Sequence, residues 1–220
     1  MKRIVEDHQD TFFSRIENVQ AYLDNLKASP KTRYLNFLST LKKLNIKGRY
    51  LDAGSGPGVV VKMVAEQHPE ATITGIDVSE EMVKIAYDDL TQEELKRIDY
   101  KIADACDMQT LKGLGTFDLI FSTLTLHHWE DAGLAIKNLY SLLNENGILF
   151  LYDLKRVPWL YYSRKQSGFF KSIRASFRPG ELKKILQNLG IKNYQIKTIF
   201  PFFMLSVIIH KETITSDLPV

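Results

Sequence analysis

Three groups of residues have types and spacing that could do chemistry. The first is residues 49–61, R-Y-L-D-A-G-S-G-P-G-V-V-V. Tyr50 and Leu51 enter a strand, Asp52 closes it, Gly54, Gly56 and Gly58 form a turn that side chains would crowd, and Val59 opens a helix. Such a turn lets backbone pass close to a ligand, and the helix amino terminus offers free N–H groups. Asp77 closes the next strand, T-I-T-G-I-D, about 20 residues on, where a carboxylate accepts hydrogen bonds from two ribose hydroxyls. A dinucleotide fingerprint, G-x-G-x-x-G, requires glycine at position 59, where this chain has valine. The second group is the adjacent pair His127 and His128. Histidine takes a proton from an acceptor hydroxyl near neutral pH, and equally often only shapes a loop. The third is residues 155–178, with seven basic residues, no acidic one, and Trp159, Tyr161, Tyr162, Phe169, Phe170 and Phe177 interleaved.

The elements that must hold these groups follow from periodicity. Strands are expected at 49–52, 72–77, 99–103, 117–121 and 148–152, with helices at 59–67, from Ser79 onward, and at 132–143. Ser79 is a good cap, and Glu80 and Glu81 suit the first turn after it. Strict β/α alternation implies a doubly wound parallel sheet with right-handed crossovers, which binds ligands outside the carboxyl ends of its strands. The chain closes differently: a helix at 179–189, then strands at 193–198 and 203–209 so close together that they must form a hairpin. Before the glycine turn, Phe12, Phe13, Ile16, Val19, Tyr22, Leu23 and Leu26 recur at helical steps, and a second helix is expected at 31–44 between Pro30 and Gly48. These two helices would cover an edge of the sheet.

With these motifs in order the chain resembles the class I, Rossmann-like S-adenosylmethionine-dependent methyltransferases. The resemblance rests on L-D-A-G-S-G-P-G at 51–58, G-I-D-V-S-E-E-M at 75–82, A-D-A at 103–105, F-D-L-I-F-S at 117–122, L-H-H-W at 126–129 and L-N-E-N-G-I-L at 143–149. The L-H-H-W-E-D stretch looks like the branch acting on small molecules, including quinone-biosynthesis enzymes. The resemblance implies one domain with a seven-stranded sheet, order 3-2-1-4-5-7-6 and strand seven antiparallel. Within it, residues 1–46 form a helical cover, 47–154 the donor-binding core, 155–178 an insertion, and 179–220 the closing helix and hairpin.

It also implies roles. Gly54, Gly56 and Gly58 would cradle the donor's methionine portion, Asp52 would orient its amino group, Asp77 would take the ribose hydroxyls, and Val78 would be a further donor contact. Met82 would pack on adenine, Asp104 would accept from the adenine amino group with Ala105 or Cys106 supplying an N–H, and Ser122 would face the donor mainly through its backbone. Each has a plainer alternative: a turn cap for Asp52 and Asp104, a core position for Met82. His127 or His128 would serve as general base. The first amino-terminal helix, as an alternative to covering an edge, would lid the site, with Phe12, Phe13, Tyr22 or Arg33 reaching the ligand. Methyl transfer from a sulfonium is an in-line displacement that needs positioning and exclusion of water more than a catalytic motif.

Composition and missing motifs narrow the class. The 220 residues fit one α/β domain, and a net charge of +3 says little about partners. Cys106 is the sole cysteine, there is no signal-peptide core and no apolar run of spanning length, so a cytoplasmic location is expected. After strand four the chain reads S-T-L-T, not the [D/N]-P-P-[Y/F] of base-methylating enzymes, which argues against nucleic acid as acceptor. Ser122 also stands where metal-dependent relatives carry an aspartate, and no metal site is expected. What remains is metal-independent methylation of a small or medium-sized acceptor. Segment 155–178 has three uses open to it: a lid for an anionic or aromatic acceptor, a solvated insertion, or contact with a membrane surface or nucleic acid. Two other classes stand beside this reading: a binding module that keeps the donor but does not turn over, and a nicotinamide-dependent oxidoreductase.

Overall fold

The computed structural model describes residues 1–4 and 31–212. The helix expected over Phe12 to Leu26 lies outside the described residues. A 3-10 turn, Lys31–Tyr34, leads into α1 (Leu35–Leu44), and β1 (Arg49–Ala53) follows. Then come α2 (Val59–Gln67), β2 (Thr72–Asp77), α3 (Glu80–Asp88), β3 (Ile98–Ile102), the short α4 (Met108–Leu111), β4 (Phe117–Thr123), α5 (Ala132–Ser141) and β5 (Leu143–Leu154). The chain closes with α6 (Pro158–Tyr161), α7 (Gly168–Ala175), α8 (Pro179–Asn188), β6 (Tyr194–Ile199) and β7 (Met204–His210). The sheet order is β3-β2-β1-β4-β5-β7-β6, parallel except for β7, which pairs antiparallel with both neighbours. This is the strand order, with β7 antiparallel, that the resemblance implies.

Alternation along the strands builds two cores. Leu51, Ala53, Ile76, Ile120, Leu149 and Leu151 pack against α5 and α8 on one face. Tyr50, Ile73, Leu119, Phe121, Phe150 and Tyr152 pack against α1, α2 and α3 on the other. Strands buried on both sides read as near-continuous apolar runs, which is why they were visible in the sequence. Ser79 caps α3 by accepting from the Met82 N–H at 3.3 Å, and Asp131 caps α5 by accepting from Leu134 N–H at 2.9 Å.

Two expectations change. Helix α1 does not cover an edge: Phe37 stacks on Phe150 at 5.0 Å and tilts against Phe121 at 5.5 Å, so α1 lies over the middle of a face. It ends at Leu44, as expected, on Asn45 in the left-handed region with φ 47°. Helix α5 stops at Ser141 instead of running to 143, and β5 begins at Leu143 instead of 148. The Leu142 carbonyl accepts from Phe117 N–H at 2.9 Å and Asn144 Nδ2 donates to Asp118 at 2.8 Å, which together draw 142–144 out of the helix and onto β4.

Candidate active site at the carboxyl ends of the strands

Each of the three turn glycines has a positive φ, and their surroundings differ. A Cβ on Gly54 would lie 2.2 Å from the Thr125 side chain, and one on Gly58 would lie 2.3 Å from the Tyr100 hydroxyl. A Cβ on Gly56 would meet nothing within 4 Å. Only Gly56, of the three, faces open space. Helix α2 starts on Gly58 with no side-chain cap, leaving its first-turn N–H groups for a ligand. Gly54 and Ser55 N–H donate to the Ile76 carbonyl at 2.8 and 2.9 Å, which lashes the turn to β2.

Asp77 completes the turn from the other side. One carboxylate oxygen accepts from Gly56 N–H at 2.8 Å and the other from Ser79 N–H at 3.0 Å. Burial pushes its pKa up, and the N–H groups of Ser79, Gly56 and Val78 pull it back. Asp52 has no such support. It is 1% exposed, and neither carboxylate oxygen has a hydrogen-bond partner. Burial, and then the charge of Asp77, push its pKa well above the usual carboxylate range. The Ser55 and Tyr100 hydroxyls are also buried without a partner. Strand register explains the grouping: Asp52 pairs with Gly75 and Gly75 with Tyr100, so a gap at Gly75 separates the carboxyl from the phenol. A Cβ on Gly75 would lie 2.5 Å from the Tyr100 ring and 3.0 Å from Ser55 Cβ.

The other candidate donor contacts are distributed around this centre. Val78 is 67% exposed beside Asp77, and Ile102, its neighbour at the end of β3, is 53% exposed. Met82 is buried at 3%. One Asp104 oxygen accepts from Cys106 N–H at 2.8 Å, the turn-capping alternative for that residue, and the buried Ala105 gives its carbonyl to Asn138 Nδ2 at 3.0 Å. The Ser122 hydroxyl is committed to the Ala53 carbonyl at 2.7 Å, and the residue is 1% exposed. Burial pushes the Cys106 thiol up, which disfavours the thiolate.

His127 and His128 lie in a 3-10 turn after β4, with ring centroids 4.0 Å apart. Their environment contains a partner that the sequence reading did not single out. Asp153, near the end of β5, accepts from both the ring Nδ1 and the backbone N–H of His127, each at 2.7 Å. An imidazole that donates from Nδ1 to a carboxylate presents Nε2 as a base. From the other side Arg3 holds the same turn, donating to the His127 and Trp129 carbonyls at 3.0 Å each and to Ala175 at 2.6 Å. Its guanidinium stacks on Phe177 at 4.1 Å. The signal for Asp153 was present: like Asp52 and Asp77, it is a carboxylate at a strand's carboxyl end. Arg3 carried no signal, because its role depends on distant parts of the chain meeting.

The basic segment resolves into parts with different jobs. Arg156 is buried and paired with Glu181, and Arg174 donates to the carbonyls of Tyr161, Ser163 and Lys165. Arg164, Lys165 and Lys171 stand outward. Among the described residues, no three His, Cys, Asp or Glu side chains group as metal ligands.

Residues 51–151 match the family described as "Methyltransferase domain". With the sheet order above, the chain is similar to the class I, Rossmann-like methyltransferases that use S-adenosylmethionine as methyl donor. It is 28% identical over 178 residues to juvenile hormone acid O-methyltransferase of Bombyx mori, covering 73% of this chain and 63% of that one. It is 25% identical over 212 residues to malonyl-[acyl-carrier protein] O-methyltransferase of Acetivibrio thermocellus, covering 90% and 70%. It is 31% identical over 116 residues to ubiquinone biosynthesis O-methyltransferase of Coxiella burnetii, covering 52% and 47%. The chain thus spans from about half to about two thirds of these relatives' lengths. Among solved structures, the plantazolicin methyltransferase BamL in complex with a desmethyl analogue and S-adenosylhomocysteine superposes with a TM-score of 0.72 at 19% identity, covering 92% of this chain and 94% of that one, a likeness of fold.

The residues present fit that donor. Its ammonium suits the unpartnered Asp52 carboxyl, its ribose diol suits Asp77, and the exposed Val78 and Ile102 offer apolar surface for a purine. The open face of Gly56 leaves room for it.

Proposed function

We propose that this protein transfers a methyl group from S-adenosylmethionine to a small or medium-sized acceptor, without a metal, by holding donor and acceptor in line. The observation that carries this reading is Asp52: a fully buried carboxyl with two unpartnered oxygens, under a glycine turn clasped by Asp77. A buried carboxyl is retained unpaired at a cost in stability, which a cationic ligand group offsets. The bound donor supplies a sulfonium, which activates its own methyl group toward attack.

The chain's residues do the rest. Asp52 takes the donor's ammonium and Asp77 its ribose hydroxyls. Val78 and Met82 flank the adenine, with Asp104 and Ala105 at its polar edge. The Ser122 backbone lines the floor, and Gly54 and Gly58 hold the turn that Gly56 opens to the donor. His127, its tautomer set by Asp153, takes the acceptor's proton, and His128 beside it is the second candidate. The three relatives named above carry O-methyltransferase names, which supports an oxygen acceptor; an acidic or phenolic hydroxyl of an anionic or aromatic molecule fits His127.

Titration calorimetry with S-adenosylhomocysteine, on the wild type and Asp77→Ala, tests the donor half. Loss of charged hydrogen bonds worth about 1.5–3 kcal/mol each predicts at least tenfold weaker binding in the variant. A wild type that binds no S-adenosylhomocysteine overturns the reading.

A further inference from the structure

The carboxyl-terminal part of the chain has a charge that the whole chain conceals. Net charge is +3, yet from Lys155 to Lys211 there are twelve lysines and arginines and one acid, Glu181. That acid is spent internally, paired with Arg156 and Arg178.

The same region exposes aromatic side chains from three separate segments. Trp159 and Tyr162, one turn apart on and just after α6, are 62% and 70% exposed. Phe169 on α7 is 41% exposed, and Phe200 and Phe202, in the β6–β7 turn, are 73% and 57% exposed. These segments meet. The Phe169 ring packs edge-on against Phe203 at 5.7 Å, and Lys155 N–H donates to the Phe203 carbonyl at 2.7 Å. Arg174 ties α7 to the end of α6 through the Tyr161 and Ser163 carbonyls. Arg164, Lys165 and Lys171 stand outward in the same insertion.

We propose that this face docks on an anionic lipid bilayer. Large aromatic side chains left in water are costly unless something covers them, and Trp and Tyr suit the boundary between headgroup and acyl chain. Basic side chains beside them attract an anionic surface, and between Lys155 and Lys211 the sequence sets only Glu181 against them. Phe200 and Phe202 flank a hairpin tip, where they can enter a bilayer. No described helix is long and apolar enough to cross a membrane, so the contact is peripheral.

Flotation of the full chain with vesicles tests this. One set is phosphatidylcholine with about a third phosphatidylglycerol, the other is phosphatidylcholine alone. The protein is expected to float with the anionic set at least tenfold better than with the neutral set, and to be released by high salt. Trp159 fluorescence should shift to the blue on binding, a change absent from Trp159→Phe. Two variants, Arg164→Glu/Lys165→Glu/Lys171→Glu and Phe200→Ser/Phe202→Ser, should each lose at least tenfold in partitioning while keeping wild-type affinity for S-adenosylhomocysteine. Three results overturn the proposal: no flotation with anionic vesicles; flotation that both variants retain; or a soluble double-stranded DNA or transfer RNA that strips the protein from the vesicles at equal phosphate concentration. Self-association of the wild type in buffer that the aromatic variant abolishes would assign the face to a second copy instead.

Discussion

The hydroxyl of Tyr100 occupies the place where a side chain at position 58 would begin: its oxygen stands 2.3 Å from an ideal Cβ on Gly58. The third glycine of the turn is therefore kept by a phenol on β3, while the second is open to a ligand. Gly58→Ala combines a left-handed backbone, about 1–2 kcal/mol, with overpacking of about 1–3 kcal/mol. Gly56→Ala incurs the first cost alone. With about 2–4 °C of Tm for each kcal/mol in a chain of this size, thermal melts should show the Gly58 variant falling roughly twice as far. Tyr100→Phe should recover part of that loss in the double variant, and alone should be neutral or stabilising, because it deletes a buried donor that has no partner. Equal melts for the two glycine variants would refute this division of roles.

Asp52 makes a prediction in pH. Its folded pKa lies well above the ordinary value, so the folded state holds the proton more tightly than the unfolded chain. Stability of the ligand-free protein is then greatest in acid and declines as pH rises from the ordinary carboxylate range, near 4, toward the folded value. Asp52→Asn removes that decline, so its Tm should gain on the wild type as pH rises from 4 to 7. Donor binding runs the other way. An ammonium favours the ionised carboxyl, so binding releases a proton and tightens with rising pH. Calorimetry in two buffers of different ionisation enthalpy should detect that proton with the wild type and not with Asp52→Asn.

Ser122 tests how the floor of the site is braced. Its hydroxyl is buried and donates to the Ala53 carbonyl at 2.7 Å, immediately before the glycine turn. Ser122→Ala should cost about 1 kcal/mol, read as a Tm about 2–4 °C lower. Affinity for S-adenosylhomocysteine should fall as the Ala53 carbonyl loses its partner. An unchanged melt would mean that the bond contributes nothing net.

Arg156 and Glu181 form an ion pair of unequal burial: the guanidinium is 0% exposed and the carboxylate 29%. Two further guanidinium nitrogens, Nε and Nη1, have no partner. Glu181→Ala strands a buried charge and should cost as much as about 3–5 kcal/mol, visible in urea midpoints. Arg156→Met/Glu181→Leu removes both charges and should recover most of the loss. A single variant as stable as the wild type would show that water already reaches the arginine.

Much of this was legible in the sequence, for identifiable reasons. The parallel strands are apolar on both sides and separated by glycine turns and capped helices, so β1, β2 and β4 stand out, as does the hairpin of β6 and β7. What was missed depends on contacts between distant segments. Nothing local ends α5 before 142; Asn144 and the Leu142 carbonyl are drawn out by β4. Nothing near Gly58 or Gly75 in sequence announces that one tyrosine requires both. Asp153 is readable as a carboxylate at a strand end, but its pairing with His127 joins positions 26 residues apart and has no local signal. The basic segment was read as one patch, although Arg156 and Arg174 are structural ties.

The place of β7 has a consequence for how the protein is made. Residues 148–154 of β5 are hydrogen-bonded along one side by β7, the last strand among the described residues. Synthesis runs from the amino terminus at about 5–20 residues per second, so the donor half leaves the ribosome before Met204 exists. Through that interval β5, whose Leu149, Phe150 and Leu151 are buried in the finished protein, presents a bare strand edge. Such an edge invites pairing with other chains. A partly made chain that has released β5 but still lacks β7 is therefore expected to aggregate more readily than the finished protein.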